Sequence, residues 1–269
     1  PTKVSRKGHS LALDYDYGFI VDRPKKFGLN VRAAAYGNLE YLPHYQNVAA
    51  TIKEFYTLEG SLHYKHTRGT IGGIQAEKGL LFSLNSYNSL VNGDPYPLLW
   101  GTLDYGVLLP WDHSSIWLRT SGGVSFGDRA ESNSYFFFGG FGNNWVDHGK
   151  VDRYREFYAF PGAELNEIGG TNFLKGMVEW TLPPLRFSSF GKPSFYANWA
   201  SLAFFGSVIA TNVDPDYEGV EVANAGAQLN LKIVFFSSLQ TTFSAGYAFA
   251  FEEGYSPREE LMLSLKILR

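Results

Sequence analysis

The sequence predicts an all-β protein, a transmembrane antiparallel up-and-down β-barrel of about twelve strands. Three observations predict this fold class: apolar residues recur at every second position, many alternating segments are long, and the opposite positions carry small or polar residues. A period of two places the two sets of side chains on opposite faces of a strand. Segments of ~9–11 residues suit a tilted strand that crosses a bilayer, whereas globular strands average ~5–6 residues.

The N-terminal half shows the alternation from its first segment onwards. Small or acidic residues stand between the apolar odd positions, which are Leu11, Leu13, Tyr15, Tyr17 and Phe19. Similar apolar rows follow; their members include Leu29, Val31, Ile52, Tyr56, Leu58, Leu62, Leu99, Leu103, Tyr105, Val107, Ile116 and Leu118. These rows predict strands with one apolar face and one polar face.

The alternation is clearest near the C-terminus. Between Ala223 and Phe235, apolar residues alternate with Asn224, Gln228 and Asn230, and a further apolar row closes the chain. Polar rows of this kind suit the water-facing or filled interior of a barrel. Closure is expected because an open sheet edge in lipid leaves backbone polar groups unsatisfied. We therefore expect one barrel domain over residues 1–269.

Composition narrows the functional classes. Aromatic residues make up 17% of the chain, which suits a membrane interface where amphipathic rings accumulate. The net charge of -3 offers no basic surface, so a nucleic-acid partner is not expected. The chain has no Cys, and its six His show no metal-ligand spacing, so no metal or other cofactor is predicted.

A glycine-rich, aromatic segment interrupts the alternation between Asn143 and Gly170, and we refer to residues 143–170 as the long loop. A connection of this length is usually functional or disordered, and its aromatic and glycine content argues against disorder. The loop also carries two closely spaced arginines, Arg153 and Arg155. We expect it to fold back into the barrel or to pack over its mouth.

The motifs around this loop resemble those of the bacterial surface antigen barrels. That superfamily includes the outer-membrane protein assembly factors and the two-partner secretion transporters. Phe138, Gly139 and Gly140 end an aromatic strand before the loop, and Gly169 and Gly170 precede a strand that ends in proline. The stretch is still more similar to barrels at the C-terminal end of chains that begin with TolB-like propeller repeats. The resemblance covers the second half of the chain, and the first half only by pattern.

The resemblance implies a loop tip whose Arg enters the barrel and pairs with an acidic strand residue. Arg155 and Phe157 match the tip, although a Glu stands between them where the family has Gly. The implied partner is Glu179, on the polar row of its strand, and Asn198 stands near a position where the family often has Asp. Two alternative interpretations stay open. Each loop arginine could be a solvated surface charge, and Glu179 could be an ordinary polar residue of the barrel interior.

The function implied by the resemblance is assembly, insertion or translocation of polypeptide or lipid at a bacterial-type outer membrane. Membrane lipid and other outer-membrane or periplasmic proteins would be its partners. The alternatives are a passive porin-like channel and a membrane anchor for a larger N-terminal domain. A soluble barrel is disfavoured because it would expose a continuous apolar band.

An enzymatic function is not predicted. Two clusters contain residue types of a hydrolase triad: Asp112, His113 and Ser114, and the pair Asp147 and His148. Adjacent residues in a turn rarely converge as nucleophile, base and orienting acid. We therefore interpret both clusters as turns.

Overall fold

The computed structural model describes residues 7–40, 52–142, 150–188, 190–192, 194–214, 219–236 and 238–268. These residues form an all-β structure whose only helical elements are two 3-10 turns. None of the described residues belongs to a helix long and apolar enough to span a membrane. The strands are β1 (His9–Ile20), β2 (Lys25–Gly37), β3 (Phe55–Arg68), β4 (Lys78–Val91), β5 (Asp94–Leu108), β6 (Ser115–Ser125), β7 (Phe136–Phe138), β8 (Ile168–Gly170), β9 (Asn172–Thr181), β10 (Leu185–Arg186), β11 (Gly191–Lys192), β12 (Phe195–Thr211), β13 (Val220–Phe235), β14 (Leu239–Glu252) and β15 (Arg258–Leu268).

The long strands follow one another up and down in chain order. Their hydrogen-bonded order is β1-β2-β3-β4-β5-β6-β9-β12-β13-β14-β15. β10 and β11 pair with the first part of β12, and β7 and β8 form a separate two-stranded sheet. β1 and β15 end the order, and no pairing among the described residues closes the sheet.

The prediction of about twelve strands was wrong, because the described residues form fifteen. Four of them are very short: β7 and β8 have three residues each, and β10 and β11 have two. A segment of two or three residues cannot display a period of two, so alternation alone does not reveal it. The remaining eleven strands form the up-and-down order.

The chain divides into two compact units. Unit 1 comprises residues 1–65, 82–101 and 123–135, and unit 2 comprises residues 66–81, 102–122 and 136–269. Unit 1 contains β1 and β2 complete, whereas unit 2 contains β9 and β12 to β15 complete. The site described below lies within unit 2.

In unit 2 the apolar rows are exposed and the polar rows are buried. On β9, Leu174 and Val178 are 63% and 53% exposed, whereas Lys175 and Glu179 are 4% and 0% exposed. The same inversion is seen on the following strands, with Asn224, Gln228, Asn230 and Ser244 buried and Leu229, Tyr247, Phe249, Leu261 and Leu263 exposed. Soluble domains bury Leu and Val and leave Lys and Glu in water, so this sheet is patterned in the opposite sense.

The buried face is covered by the described part of the long loop and by the residues just before it. Phe141 and Tyr154 pack into one core with residues of the sheet: Met177, Ala203, Phe205, Ala248 and Met262. Tyr154 stacks on Phe205 with ring centroids 4.6 Å apart. Phe160 is also fully buried. The described part of the loop therefore packs on the sheet rather than extending away from it.

Candidate functional site

The tip of the long loop is a 3-10 turn at Arg153–Arg155. Burial of the Tyr154 ring against the sheet fixes this turn and directs the side chain of Arg155 towards β9. The Arg155 guanidinium donates from Nη2 to Oε1 of Glu179 at 2.5 Å and from Nε to Oε2 at 2.9 Å. Two parallel hydrogen bonds of this kind form the bidentate geometry in which Arg recognises a carboxylate most strongly.

Glu179 accepts further hydrogen bonds from the sheet. Arg119 donates from Nε to Oε2 at 3.0 Å, and Thr181 donates its hydroxyl to Oε1 at 3.1 Å. A carboxylate that is fully buried is costly unless it is paired and hydrogen-bonded. Four donors meet that requirement for Glu179.

The network continues beyond Glu179 on both sides. Arg119 also donates from Nη1 to Asp104 at 2.5 Å, and Arg155 pairs through Nη1 with Asp152 at 2.9 Å. We call these five residues, Asp104, Arg119, Asp152, Arg155 and Glu179, the charge cluster. The Nη1 of Arg155 also donates to Oε1 of Gln75 at 2.9 Å. Although burial opposes its charge, the carboxylates of Asp152 and Glu179 raise the pKa of Arg155 well above its usual value, so the guanidinium stays charged.

Lys175 lies beside the charge cluster and holds the loop backbone. Its ammonium donates to the carbonyls of Glu156 at 3.2 Å and Phe157 at 3.1 Å, and to that of Ala159. An ammonium has three donors, so these carbonyls satisfy Lys175 completely. Lys175 also lines, with Asp104, Arg119 and Arg155, a cavity of about 20 Å³, which has room for about one water molecule.

Polar side chains of β13 and β15 bind the loop at further points. Asn230 donates to Asp152 at 2.6 Å, and Asn224 donates to the carbonyl of Pro161 at 2.8 Å. The Glu260 carboxylate accepts the backbone amides of Gly162 at 3.0 Å and Phe141 at 3.2 Å. The polar rows of the strands therefore act as binding partners for the loop.

The two glycine pairs come together at the base of the loop. Gly169 and Gly170 lie in β8, where they pair with Phe137 and Phe136 of β7. Gly139 follows β7 with φ at 154°, and a Cβ atom there would lie 1.8 Å from the carbonyl oxygen of Glu164. Gly140 has φ at 65° and donates its amide to the carbonyl of Ala163 at 3.0 Å. These glycines permit a close backbone approach that closes the loop at its base.

The remaining predicted site residues take different positions. Phe157 lies beside the cluster, with its ring stacked at 6.3 Å from that of Phe173. Arg153 reaches the carbonyl of Gly142 from Nη1 at 3.4 Å. Asn198 is exposed at a bulge between Ala197 and Trp199, and its carbonyl accepts the amide of Phe187. The structure thus brings Arg155 and Glu179 together, whereas the Asn198 side chain does not join the charge cluster.

Sequence reasoning did not single out Asp104, Arg119, Lys175 or Gln75 as site residues. Three of them could have been identified from the sequence. Asp104, Arg119 and Lys175 are charged residues at the polar positions of alternating strands. Charges on the buried face of a strand need partners. Gln75 lies in the connection between β3 and β4, outside any alternating row, and gave no such signal.

The residues of the predicted turn at 112–114 do not form a hydrolase triad. Ser114 donates its hydroxyl to the carbonyl of Thr181 at 3.0 Å and accepts the indole N–H of Trp180 at 3.1 Å. His113 instead places Nδ1 at 2.8 Å from the Glu77 carboxylate and 2.9 Å from the Thr70 hydroxyl. The second pair, Asp147 and His148, lies outside the described residues.

Glu77 is buried in the connection between β3 and β4. Its Oε2 accepts the amide of Thr70 at 2.8 Å and the Thr70 hydroxyl at 2.6 Å. Burial raises the pKa of the Glu77 carboxyl, but the hydrogen bonds from Thr70 and the contact with His113 outweigh this effect and leave the pKa below its usual value. Glu77 is therefore a second ionised carboxylate held by local donors.

The site as a whole binds and positions a loop. The Glu179 carboxylate has its oxygens occupied by four donors, so it is not available to take up a proton from a substrate. The strongest interactions join the loop to β9 through the charged hydrogen bonds between Arg155 and Glu179, and Glu179 is in turn bound by Arg119 of β6. Neither the protein-family models nor the curated proteins with which the chain was compared match its sequence.

Proposed function

We propose that this chain is an integral β-barrel of a bacterial-type outer membrane that acts in assembly, insertion or translocation of polypeptide or lipid. The observation that carries the proposal is the inverted sheet of unit 2. Leu174 and Val178 are exposed on β9 while Lys175 and Glu179 are buried on the opposite face. Lipid would cover the exposed apolar rows, whereas the polar rows face the interior, where they bind the loop.

The energetics of the exposed rows support a membrane location. Leaving one large aliphatic or aromatic side chain in water instead of burying it costs about 1.5–3 kcal/mol. The exposed apolar residues run along all the long strands of unit 2, for example Leu174 on β9, Val208 on β12 and Leu263 on β15. The strands are also long enough, since β9 has 10 residues and β12 has 17, against the ~9–11 needed to cross a bilayer.

A closed barrel is part of the proposal. The unpaired backbone groups of an open strand edge cannot be satisfied by lipid. The long loop would then occupy the interior, because it covers the buried polar face through Lys175, Glu260 and the charge cluster. The pairing of Arg155 with Glu179 supports the relation to the surface antigen barrels, in which a loop Arg pairs with an acidic strand residue.

The polarity of these contacts favours a loop that can be displaced. The hydrogen bonds of Asn224, Asn230 and Glu260 to the loop would be replaced by hydrogen bonds to water when the loop leaves. The net contribution of one such bond to stability is therefore about 0.5–1.5 kcal/mol rather than its strength in an apolar medium. The Arg155–Glu179 pair and the buried Tyr154 hold the loop more strongly, so a passing or folding substrate has to break these contacts to displace it.

A passive channel is the second candidate, and one feature of unit 1 favours it. On the polar row of β1 and β2, the side chains of Asp14 and Arg32 are 48% and 41% exposed, and their nearest charged atoms lie 3.5 Å apart. Both side chains are thus partly open to water among the described residues of unit 1. A water-filled path along such a row would conduct ions.

Single-channel recording in planar bilayers separates the two candidates. The intact chain is compared with a variant in which residues 150–159 are replaced by a Gly-Ser linker of equal length. We expect low or flickering current from the intact chain and large, steady current from the variant. Large, steady current from the intact chain would support the passive channel, and failure of both proteins to insert would contradict the membrane location.

A second assay tests the assembly role. The chain is reconstituted into vesicles, and the folding of a separate outer-membrane barrel added from urea is followed by its heat-dependent gel mobility. We expect faster folding than in vesicles that contain the linker variant or no protein. Equal rates in all three would contradict the assembly role and leave the membrane location intact.

A further inference from the structure

The acidic residues of the last strands collect at one end, where the one basic residue, Arg258, is paired with Glu252 and Glu167. After Glu179, every Asp and Glu of the sequence lies in residues 214–221 or 252–260. These segments connect β12 to β13 and β14 to β15, or lie at the adjoining strand ends. We call this the acidic end of unit 2.

The opposite end of the same strands carries no acidic residue. It consists of the connection from β9 to β12, residues 182–194, and the connection from β13 to β14, residues 236–238. The first connection contributes Arg186 and Lys192, both of them exposed. We call this the basic end of unit 2.

Exposed aromatic rings lie at the basic end. Phe190 and Phe236 are 66% and 76% exposed. Trp111 is 62% exposed and lies in the turn between β5 and β6, next to the exposed Asp112; its ring centroid lies 6.5 Å from that of Trp180 at the end of β9. Ser114 joins the same two elements by its hydrogen bond to Thr181. Trp, with an apolar ring and a polar N–H, is enriched where a membrane protein meets the lipid headgroups.

We infer that the basic end of unit 2 contacts an anionic phospholipid leaflet, with Arg186 and Lys192 binding lipid phosphate. This inference rests on the proposed membrane location and adds to it the lipid class and the orientation. Basic residues close to an anionic leaflet are attracted to it, and the attraction falls off within a Debye length. The acidic end would be repelled by such a leaflet, so the two ends cannot exchange places.

The geometry leaves both cations able to bind phosphate. Arg186 donates one hydrogen bond, to the carbonyl of Gly72, out of the five N–H groups of its guanidinium. Lys192 lies in a stretch that has no acidic residue between Glu179 and Asp214. Trp180 and Phe204, whose rings lie 6.0 Å apart, connect the basic end to the exposed apolar rows. A lipid whose acyl chains lie on those rows would bring its phosphate to Arg186 and Lys192.

Quenching of tryptophan fluorescence by brominated lipid tests the inference. The full chain is reconstituted into phosphatidylcholine vesicles that contain dibrominated phosphatidylglycerol or dibrominated phosphatidylethanolamine. Every chain in the test carries Phe in place of the other four Trp residues, Trp100, Trp117, Trp145 and Trp199, so that the fluorescence of Trp111 and Trp180 reports from the basic end. We expect tighter association of phosphatidylglycerol, by about fivefold for each basic residue given ~1 kcal/mol of attraction per charge. The preference should disappear in about 1 M salt, where the Debye length is about 3 Å.

Two double variants make the test specific. Arg186→Gln with Lys192→Gln should bring the two brominated lipids to equal quenching. The matched variant at the acidic end, Glu221→Gln with Glu253→Gln, should keep the preference for phosphatidylglycerol.

Three other outcomes would each count against a different claim. Equal quenching in the unaltered chain would overturn the inference and leave the basic end as a surface for a protein partner. A preference that survives the first double variant would overturn the assignment to Arg186 and Lys192. Failure of both lipids to quench would instead contradict the membrane location itself.

Discussion

Arg155 of the long loop meets Glu179 near the far end of β9. The loop joins β9 at Asn172, whereas Glu179 is two residues before the last residue of that strand, Thr181. A strand advances about 3.3 Å per residue, so the loop returns along most of the length of β9 before the two charges pair at 2.5 Å. The ion pair therefore fixes how deeply the loop lies on the buried face.

Substitution of Arg155 tests this relationship. Among the described residues, Arg155→Ala leaves Arg119 as the one charged partner of the buried Glu179, and breaking a buried pair costs about 3–5 kcal/mol. We expect the variant to lose its compact gel mobility at a clearly lower temperature, with a matching loss in guanidinium unfolding. Arg153→Ala is the matched control, because Arg153 contacts Gly142 rather than Glu179. Equal effects of the two substitutions would contradict the assigned role of Arg155.

Lys175 should control the order of the loop segment that follows the tip. Lys175→Met keeps the length of the side chain but removes the three donors to the carbonyls of Glu156, Phe157 and Ala159. Unsatisfied buried groups cost about 1–3 kcal/mol each, so we expect the segment to detach locally. Limited proteolysis should then cut the variant within residues 154–159. Protection equal to that of the unaltered chain would contradict the prediction.

The buried Glu77 should make stability depend on acid pH. Its pKa in the folded chain lies below the usual 4.5, so its stabilising effect is complete above about pH 4.5 and is lost as the pH falls through the lowered value. Glu77→Gln should therefore melt below the unaltered chain at neutral pH, and the difference should narrow in acid.

His113→Asn offers a matched comparison for the Glu77 prediction. His113 has φ at 60°, and Asn accepts this backbone conformation. The variant keeps both hydrogen bonds from Thr70 and removes the imidazole, so its melting temperature at neutral pH should lie between those of Glu77→Gln and the unaltered chain. A difference between Glu77→Gln and the unaltered chain that is constant from neutral to acid pH would contradict the role of the carboxylate.

The glycines allow a test of backbone packing at the base of the loop. Gly139→Ala would place a Cβ atom 1.8 Å from a backbone oxygen and demands a φ near 154°, so the loop base must shift. Gly176→Ala is the control, because no atom lies within 4 Å of a Cβ at that position. We expect Gly139→Ala to lose several kcal/mol of stability, as do changes at strained backbone positions, while Gly176→Ala folds normally. Normal folding of Gly139→Ala would refute the close approach.

The sequence predicted the strand faces of unit 2 and the up-and-down order of the strands, but it did not predict the register between neighbouring strands. Alternation marks the exposed and buried rows of β13 and β14 because neighbouring side chains of a strand point to opposite faces. The contact of Arg119 with Glu179 joins residues 60 positions apart, and it depends on which strands are neighbours and on their register. A period of two carries no information about either.

Local irregularities account for other differences. The bulge between Ala197 and Trp199 shifts the register of β12, so the position of Asn198 relative to β9 could not be counted from the pattern. The implied pairing of Arg155 with Glu179 came from the resemblance to a family, since the loop itself has no periodicity. The depth at which the loop lies on the sheet depends on the burial of Tyr154 against Phe205. This is a tertiary contact that periodicity does not predict.

Single-cysteine scanning along β14 tests the membrane location most directly. The chain has no Cys of its own, so one Cys is placed in turn at Tyr247, Ala248, Phe249, Ala250 and Phe251, and vesicle-bound protein is treated with lipid-partitioning or water-soluble maleimides. Positions 247, 249 and 251 are exposed, whereas Ala248 and Ala250 are fully buried. We predict that the three exposed positions react with the lipid-partitioning reagent only, and that the two buried positions react with neither until the protein is unfolded. Rapid reaction of the exposed positions with the water-soluble reagent would contradict the account.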